Sequence, residues 1–194
     1  RDVLGSRGLG DVYKRQHNYP LVKIGTQYWM RDNLEASSYV GGEALPRLDA
    51  VTANVVGYLQ SATEHYFYTA NVVLSNKILP AHWSIPDWKD WNILKDYLNG
   101  EASLLKSGTW LPLKAGEQVQ SATNLSGFNG IPVGMYVGAF QTDYEKKHLA
   151  YWTLDNANAA IDIKVFYLKS DTDIIEESNA GVDTKAFAIR CIRK

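Results

Sequence analysis

The chain has 194 residues, 45% hydrophobic and 21% charged, with 20 Lys and Arg against 21 Asp and Glu. Those values exclude a disordered or fibrous chain and suit one ordinary globular domain. No run of about 18 apolar residues is present to span a membrane, and the near-neutral balance offers nucleic acid no basic footprint.

The chain opens on the Gly-rich, basic stretch "SRGLGDVYKRQ" (residues 6–16). A dinucleotide loop needs a third glycine, a strand before it and a helix opening directly after it, and Asp11-Val12-Tyr13-Lys14 supplies none of these. The stretch instead resembles the translated reading frame of a transposase-type sequencing-library adapter. Residues 1–16 are therefore read as a non-native scar and set aside. Residues 17–194 are read as a single domain whose natural N-terminus is missing. Without the scar the count falls to 16 basic against 19 acidic residues, which strengthens the case against polyanion binding.

From Tyr19, "YPLVKIGTQYWMRDNLEA" predicts a hairpin, with Val22 and Ile24 on one face, Lys23 on the other, and a turn at Gly25. Residues 37–63 hold Gly41, Gly42, Pro46 and Gly57 without a sustained period, and read as loop with one or two short strands. Tyr68, Val72 and Ser75 share a helical spacing that predicts a short helix over 67–76. In "LPAHWSIPDWKDWNILKDYLNG", Pro86 ends an extended approach and Asp87 is an N-cap able to accept from the amide of Asp90. Trp91, Leu94 and Leu98 form that helix's apolar stripe, and Gly100 closes it. Past Ser107, short aromatic and β-branched runs separated by Gly, Asn and Asp predict four or five antiparallel strands with long loops. The last run sets Phe187, Ile189 and Cys191 on one face against Arg190 and Arg193 on the other, which makes Cys191 a buried thiol.

As the single cysteine, Cys191 excludes an intrachain disulfide and any multi-cysteine metal site. The aromatic load of six Trp, twelve Tyr and five Phe serves either as core or as flat platforms for sugar rings. Trp83 and Trp91 read as core, whereas Trp88, in the first turn beside Asp87, is open to either stacking or partial burial. Asp87 and Asp90 stand three apart like a catalytic carboxylate pair, but capping and the helix dipole account for both. His65, His82 and His148 show no metal-ligand spacing, and no cofactor is expected. The stretch "GAFQTDYEKKHLAYW" (138–152) mixes Tyr144, Tyr151 and Trp152 with amides and charges. It reads either as a surface for a polar ligand or as a solvated loop whose Tyr151 and Trp152 begin a core strand.

Six blocks in this order carry a resemblance: "VKIGTQYWMRDNL" (22–34), "YFYTA" (66–70), "HWSIPDWKDWNIL" (82–94), "ATNLSGFNGIPVGMY" (122–136), "AYWT" (150–153) and "AIRCIRK" (188–194). The chain resembles the Fibrobacter succinogenes major paralogous domain, a family of bacterial surface and secreted domains. It departs from the family's pattern at Ala81, His82 and Ile85, which leaves the Pro, cap and Trp logic of the helix in place. The resemblance implies an α+β, C-type-lectin-like domain, with two short helices, a twisted antiparallel sheet, long loops and neighbouring termini.

A lectin-type calcium site would require convergent oxygens, for which only Asp155, Asn156 and Asp143 are candidates, so no metal is expected. Formylglycine-type oxidation uses two cysteines, and this chain has one. The resulting expectation is a non-catalytic surface or secreted domain, extracellular or at the cell surface as a lipoprotein. It would bind polysaccharide or a surface protein through loops carrying Trp88, Tyr144, Tyr151 and Trp152. A glycan-active enzyme would instead need Asp143, Glu145 or Asp155 paired across an aromatic-lined cleft, and a fimbrial or surface-layer module would self-associate.

Overall fold

Gly25, at φ +59°, turns β1 (Leu21–Ile24) back onto β2 (Gln27–Met30), and a Cβ there would come within 2.9 Å of the Tyr97 ring. The predicted hairpin is therefore fixed twice, by backbone conformation and by close approach. In this computed structural model the described residues are 19–79, 81–140, 144–154 and 162–194, so the adapter-like residues 1–16 lie outside them. Beside β2 lies β11 (Ile192–Arg193), followed by β5 (Trp83–Ser84), giving a four-stranded sheet in the order β1-β2-β11-β5. The first and last described strands thus sit in one sheet. A second sheet runs β3 (Tyr58–Gln60), β4 (Tyr66–Thr69), β10 (Lys185–Phe187), β6 (Tyr136–Val137). A third runs β7 (His148–Trp152), β8 (Asp162–Lys169), β9 (Glu176–Gly181). Among the described residues the strands pair antiparallel, and with two α-helices the domain is α+β.

The helix expected over 67–76 divides in two. Its first half is β4 and only α1 (Ala70–Ser75) is helical. Tyr66 and Tyr68 pair across to Gln60 and Tyr58, and Tyr58 stacks on Tyr66 at 4.9 Å. Such aromatic cross-strand contacts favour strand over the nominal helical spacing. The second helix, α2 (Trp88–Tyr97), matches its sequence signals: Asp90 N donates to Asp87 Oδ1 at 2.9 Å and Asp87 N to Asp90 Oδ2 at 3.0 Å. Trp91, Leu94 and Leu98 are buried, and Gly100 N donates to Lys95 O at 2.9 Å in the left-handed closing turn. Replacing Asp87 with Ala is expected to cost about 1 kcal/mol, measured as a lowered urea midpoint.

Two apolar cores lie on either side of the third sheet. Leu149 and Tyr151 face the first with Trp29, Trp91, Phe128 and Phe166, while Ala150 and Trp152 face the second with Tyr68, Phe187 and Cys191. All five residues of β7 are consequently buried, the pattern of a strand covered on both faces. The C-terminal segment repeats this parity. Ala186, Ala188 and Ile192 face the first core; Phe187, Ile189 and Cys191 face the second. Cys191 is a buried free thiol, as expected, and burial pushes its pKa up. Arg190 falls in the even-numbered row and is only 1% exposed, whereas Arg193, set beside it in the sequence reading, shares the odd-numbered face of Cys191 and is exposed, because successive strand residues alternate faces. Among the described residues, no helix is long and apolar enough to cross a membrane.

Candidate functional site

Three loops converge where β2 leaves its sheet. Residues 31–35 continue from β2, with Leu34 N bound to Ile189 O at 2.9 Å. Residues 61–65 turn between β3 and β4, closed by Ser61 N to His65 O at 2.9 Å. Residues 124–133 are shaped by Asn124, whose Oδ1 accepts from Asn129 N at 2.7 Å. Asn124 (φ 50°) and Asn129 (φ 59°) both take the left-handed conformation that asparagine tolerates best after glycine. At Gly130 a Cβ would lie 2.8 Å from Leu105 O, so the loop presses directly on the 102–106 segment.

Two adjoining hollows open between these loops. One, of about 220 Å³, is lined by Tyr19, Asp32, Asn33, Glu35, His65 and Asn129, with Arg190 beneath. The other, of about 250 Å³, is lined by Thr63, Thr109, Glu145 and Lys146 among others. They share His65, Ile131 and Val133, and so form one groove with a short apolar wall and a polar rim.

The floor is held by Arg190. Its Nη1 donates to Met30 O at 3.1 Å, to Arg31 O at 2.5 Å and to Phe128 O. Its Nη2 donates to Asn33 Oδ1 at 2.6 Å, Tyr151 Oη at 2.9 Å and Asn129 O at 3.4 Å, and Nε to Asn33 Oδ1 at 3.2 Å. Tyr151 in turn donates its hydroxyl proton to Asn33 Oδ1 at 3.0 Å, and Asn129 Nδ2 donates to Asp32 Oδ1 at 2.9 Å. The guanidinium also lies 4.3 Å from the Phe128 ring centroid. Burial lowers the Arg190 pKa, opposed by its hydrogen bond to the Tyr151 hydroxyl and by the charge of Asp32. Burial likewise pushes the Tyr151 phenol up to about 12. The Tyr151 phenol is therefore neutral at neutral pH, and the floor is held by hydrogen bonds.

The sequence-predicted residues are not brought together. Tyr144 is half-buried next to Glu145 of the rim, its ring edge-on to His148 at 4.6 Å. Tyr151 is 1% exposed and reaches the groove only through its hydroxyl, as part of the floor. Trp152, on the opposite face of β7, is 0% exposed and donates Nε1 to Tyr68 O at 2.7 Å. It presents no face to a ligand, because the second core covers this side of β7, in line with the alternative that Tyr151 and Trp152 begin a core strand. Trp88 is half-buried under Lys164 Nζ at 3.9 Å, away from the groove. Asp143, Asp155 and Asn156 lie outside the described residues, and among those described no three His, Cys, Asp or Glu side chains gather as a metal set. The groove residues Asp32, Asn33, Glu35, His65 and Asn129 were not singled out as a site. For Asp32 and Asn33 the one sequence signal is a polar "RDN" run (31–33) directly after an apolar strand.

Near the groove, His148 is 7% exposed with Nδ1 unpartnered among the described residues. Burial first, then the Lys169 charge, lowers its pKa to about 4, against the opposing charges of Asp171 and Glu176. The unfolded chain, with an ordinary His pKa near 6.5, therefore binds more protons between those values. Stability is expected to be full above about pH 6.5 and to fall by roughly 2–3 kcal/mol on acidification to pH 4. Urea midpoints across that range should flatten in His148→Gln.

The model of the Fibrobacter succinogenes major domain matches residues 22–193. Comparison with curated proteins and with solved structures gives no match.

Proposed function

Because this chain belongs to the Fibrobacter succinogenes major domain family, we propose that it is a non-catalytic ligand-binding or adhesion domain of C-type-lectin-like fold, displayed outside a bacterial cell. Its groove recognises polysaccharide or a surface protein. The observation that carries this reading is the pair of joined hollows, 220 and 250 Å³, set on a floor of buried hydrogen bonds. A pre-formed concave site with a few fixed polar groups is what a hydroxyl-rich ligand requires. Asn33, Asn129, His65 and Glu145 come from four separate loops, so such a ligand would be read from several sides.

The test is binding of the full chain to a glycan array and to insoluble plant polysaccharides, with calcium and again with chelator. Selective binding that weakens about two- to tenfold in His65→Ala or Glu145→Gln, the value of one or two hydrogen bonds, supports the groove. Silence under both conditions shifts the reading to protein adhesion, and glycan binding indifferent to both substitutions removes the groove from it.

A further inference from the structure

The outer face of the first sheet carries a row that the groove does not use. Register places Lys23 opposite Tyr28, Tyr28 opposite Arg193, and Arg193 opposite Trp83. Directly opposed residues share a face, so cation, aromatic, cation and aromatic alternate across four strands. The next row, Val22, Trp29, Ile192 and Ser84, points the other way, with Trp29 and Ile192 in the first core. Further along the outer face Met30 and Cys191 are covered by the second core, which also takes one side of Trp83 but does not reach Tyr28. Tyr28 is left 44% exposed and Leu21 41% exposed; Lys23 and Arg193 are exposed and Trp83 half-buried.

The charges of this row are unspent. Neither Lys23 nor Arg193 has a carboxylate within ion-pairing distance among the described residues. Asp87 and Asp90, the acidic groups closest in sequence to Trp83, are engaged by Lys194 Nζ at 3.6 and 2.9 Å. Lys23 Nζ already lies 5.6 Å from the Tyr28 ring centroid. A local surplus of two cations on a chain of net charge −1 is an asymmetry that the composition conceals.

We infer that this row is a binding platform for an extended anionic polysaccharide, one whose sugar units carry carboxylates. Strands spaced roughly 4.8 Å apart offer a new side chain at about the rise of one pyranose unit along such a chain. The two cations, two strands apart, meet carboxylates while Tyr28 and Trp83 meet ring faces. The platform is independent of the groove, which lies at the far end of β2 among Asp32, Asn33 and Asn129.

The test is calorimetric titration of the full chain with polygalacturonate oligomers in chelating buffer, beside neutral gluco-oligosaccharides of equal length and single-stranded oligothymidylate. The expected result is polygalacturonate binding that weakens with added salt. It should weaken about tenfold in the Lys23→Gln, Arg193→Gln double variant, two exposed ion pairs at about two- to fivefold each, and also in Tyr28→Ser. The control Lys114→Gln, at an exposed lysine outside both the row and the groove, should leave it unchanged. All these positions are exposed, and an unshifted melting curve confirms folding. Absence of polygalacturonate binding, full retention of it in the double variant, equal affinity for oligothymidylate, or self-association abolished by the same substitutions without glycan binding would each overturn the assignment.

Discussion

Arg190→Met is expected to lose about 3–5 kcal/mol of folding free energy, a large share of the roughly 5–15 kcal/mol typical of a domain. Replacing a buried ion pair with apolar groups is often harmless because both charges leave together. Here the partners cannot leave. The acceptors of Arg190 include the carbonyls of Met30, Arg31, Phe128 and Asn129, all backbone, together with the Asn33 amide oxygen and the Tyr151 hydroxyl. Asn33 Oδ1 would keep the Tyr151 hydroxyl as a donor, but methionine would take the Arg190 donors from the backbone carbonyls, at about 1–3 kcal/mol for each that water cannot reach. Arg190→Lys should recover less than half of the loss, since an ammonium has three donors radiating from a point and cannot reproduce the planar fork. Urea denaturation followed by tryptophan fluorescence reads both variants. A midpoint unchanged in Arg190→Met would show that the network is ornamental, and the groove floor would then need another account.

Trp152→Ala should be nearly as damaging, at about 3–5 kcal/mol. The indole is 0% exposed, lies 4.5 Å from the Phe187 ring and loses its bond to Tyr68 O when truncated. Any loss of ligand by this variant would therefore come through unfolding. Tyr144→Ala, half-buried beside the groove, should by contrast stay within about 1 kcal/mol of the parent, because no buried hydrogen bond or large cavity is at stake. Thermal melting separates the two. A Trp152→Ala protein that melts with the parent would contradict the placement of β7 between two cores.

The parts of this protein legible in the sequence are those decided within a few residues of chain. Asp87 and Asp90 close a capping box because the N-cap and third helical positions are always three apart, whatever surrounds them. Gly25 turns a hairpin because its φ is open to it, and the spacing of Trp91, Leu94 and Leu98 buries one side of a helix. The ordered blocks from residue 22 onward carried the family in the same way.

Whatever depended on which element covers which was decided only by the tertiary structure. Alternation along the last segment separated Arg190 from Phe187 and Cys191 correctly, yet a period of two says that two faces differ and not that one of them is wet. Both faces are buried, and Arg190 fills its place by finding carbonyls from two distant loops. Tyr68 kept a helical spacing while belonging to a strand, since pairing with Tyr58 and Phe187 outweighs local preference. The groove and the Lys23, Tyr28, Arg193, Trp83 row each join residues far apart in sequence through strand register and loop convergence, and register is set by long-range pairing that no local window of the sequence contains.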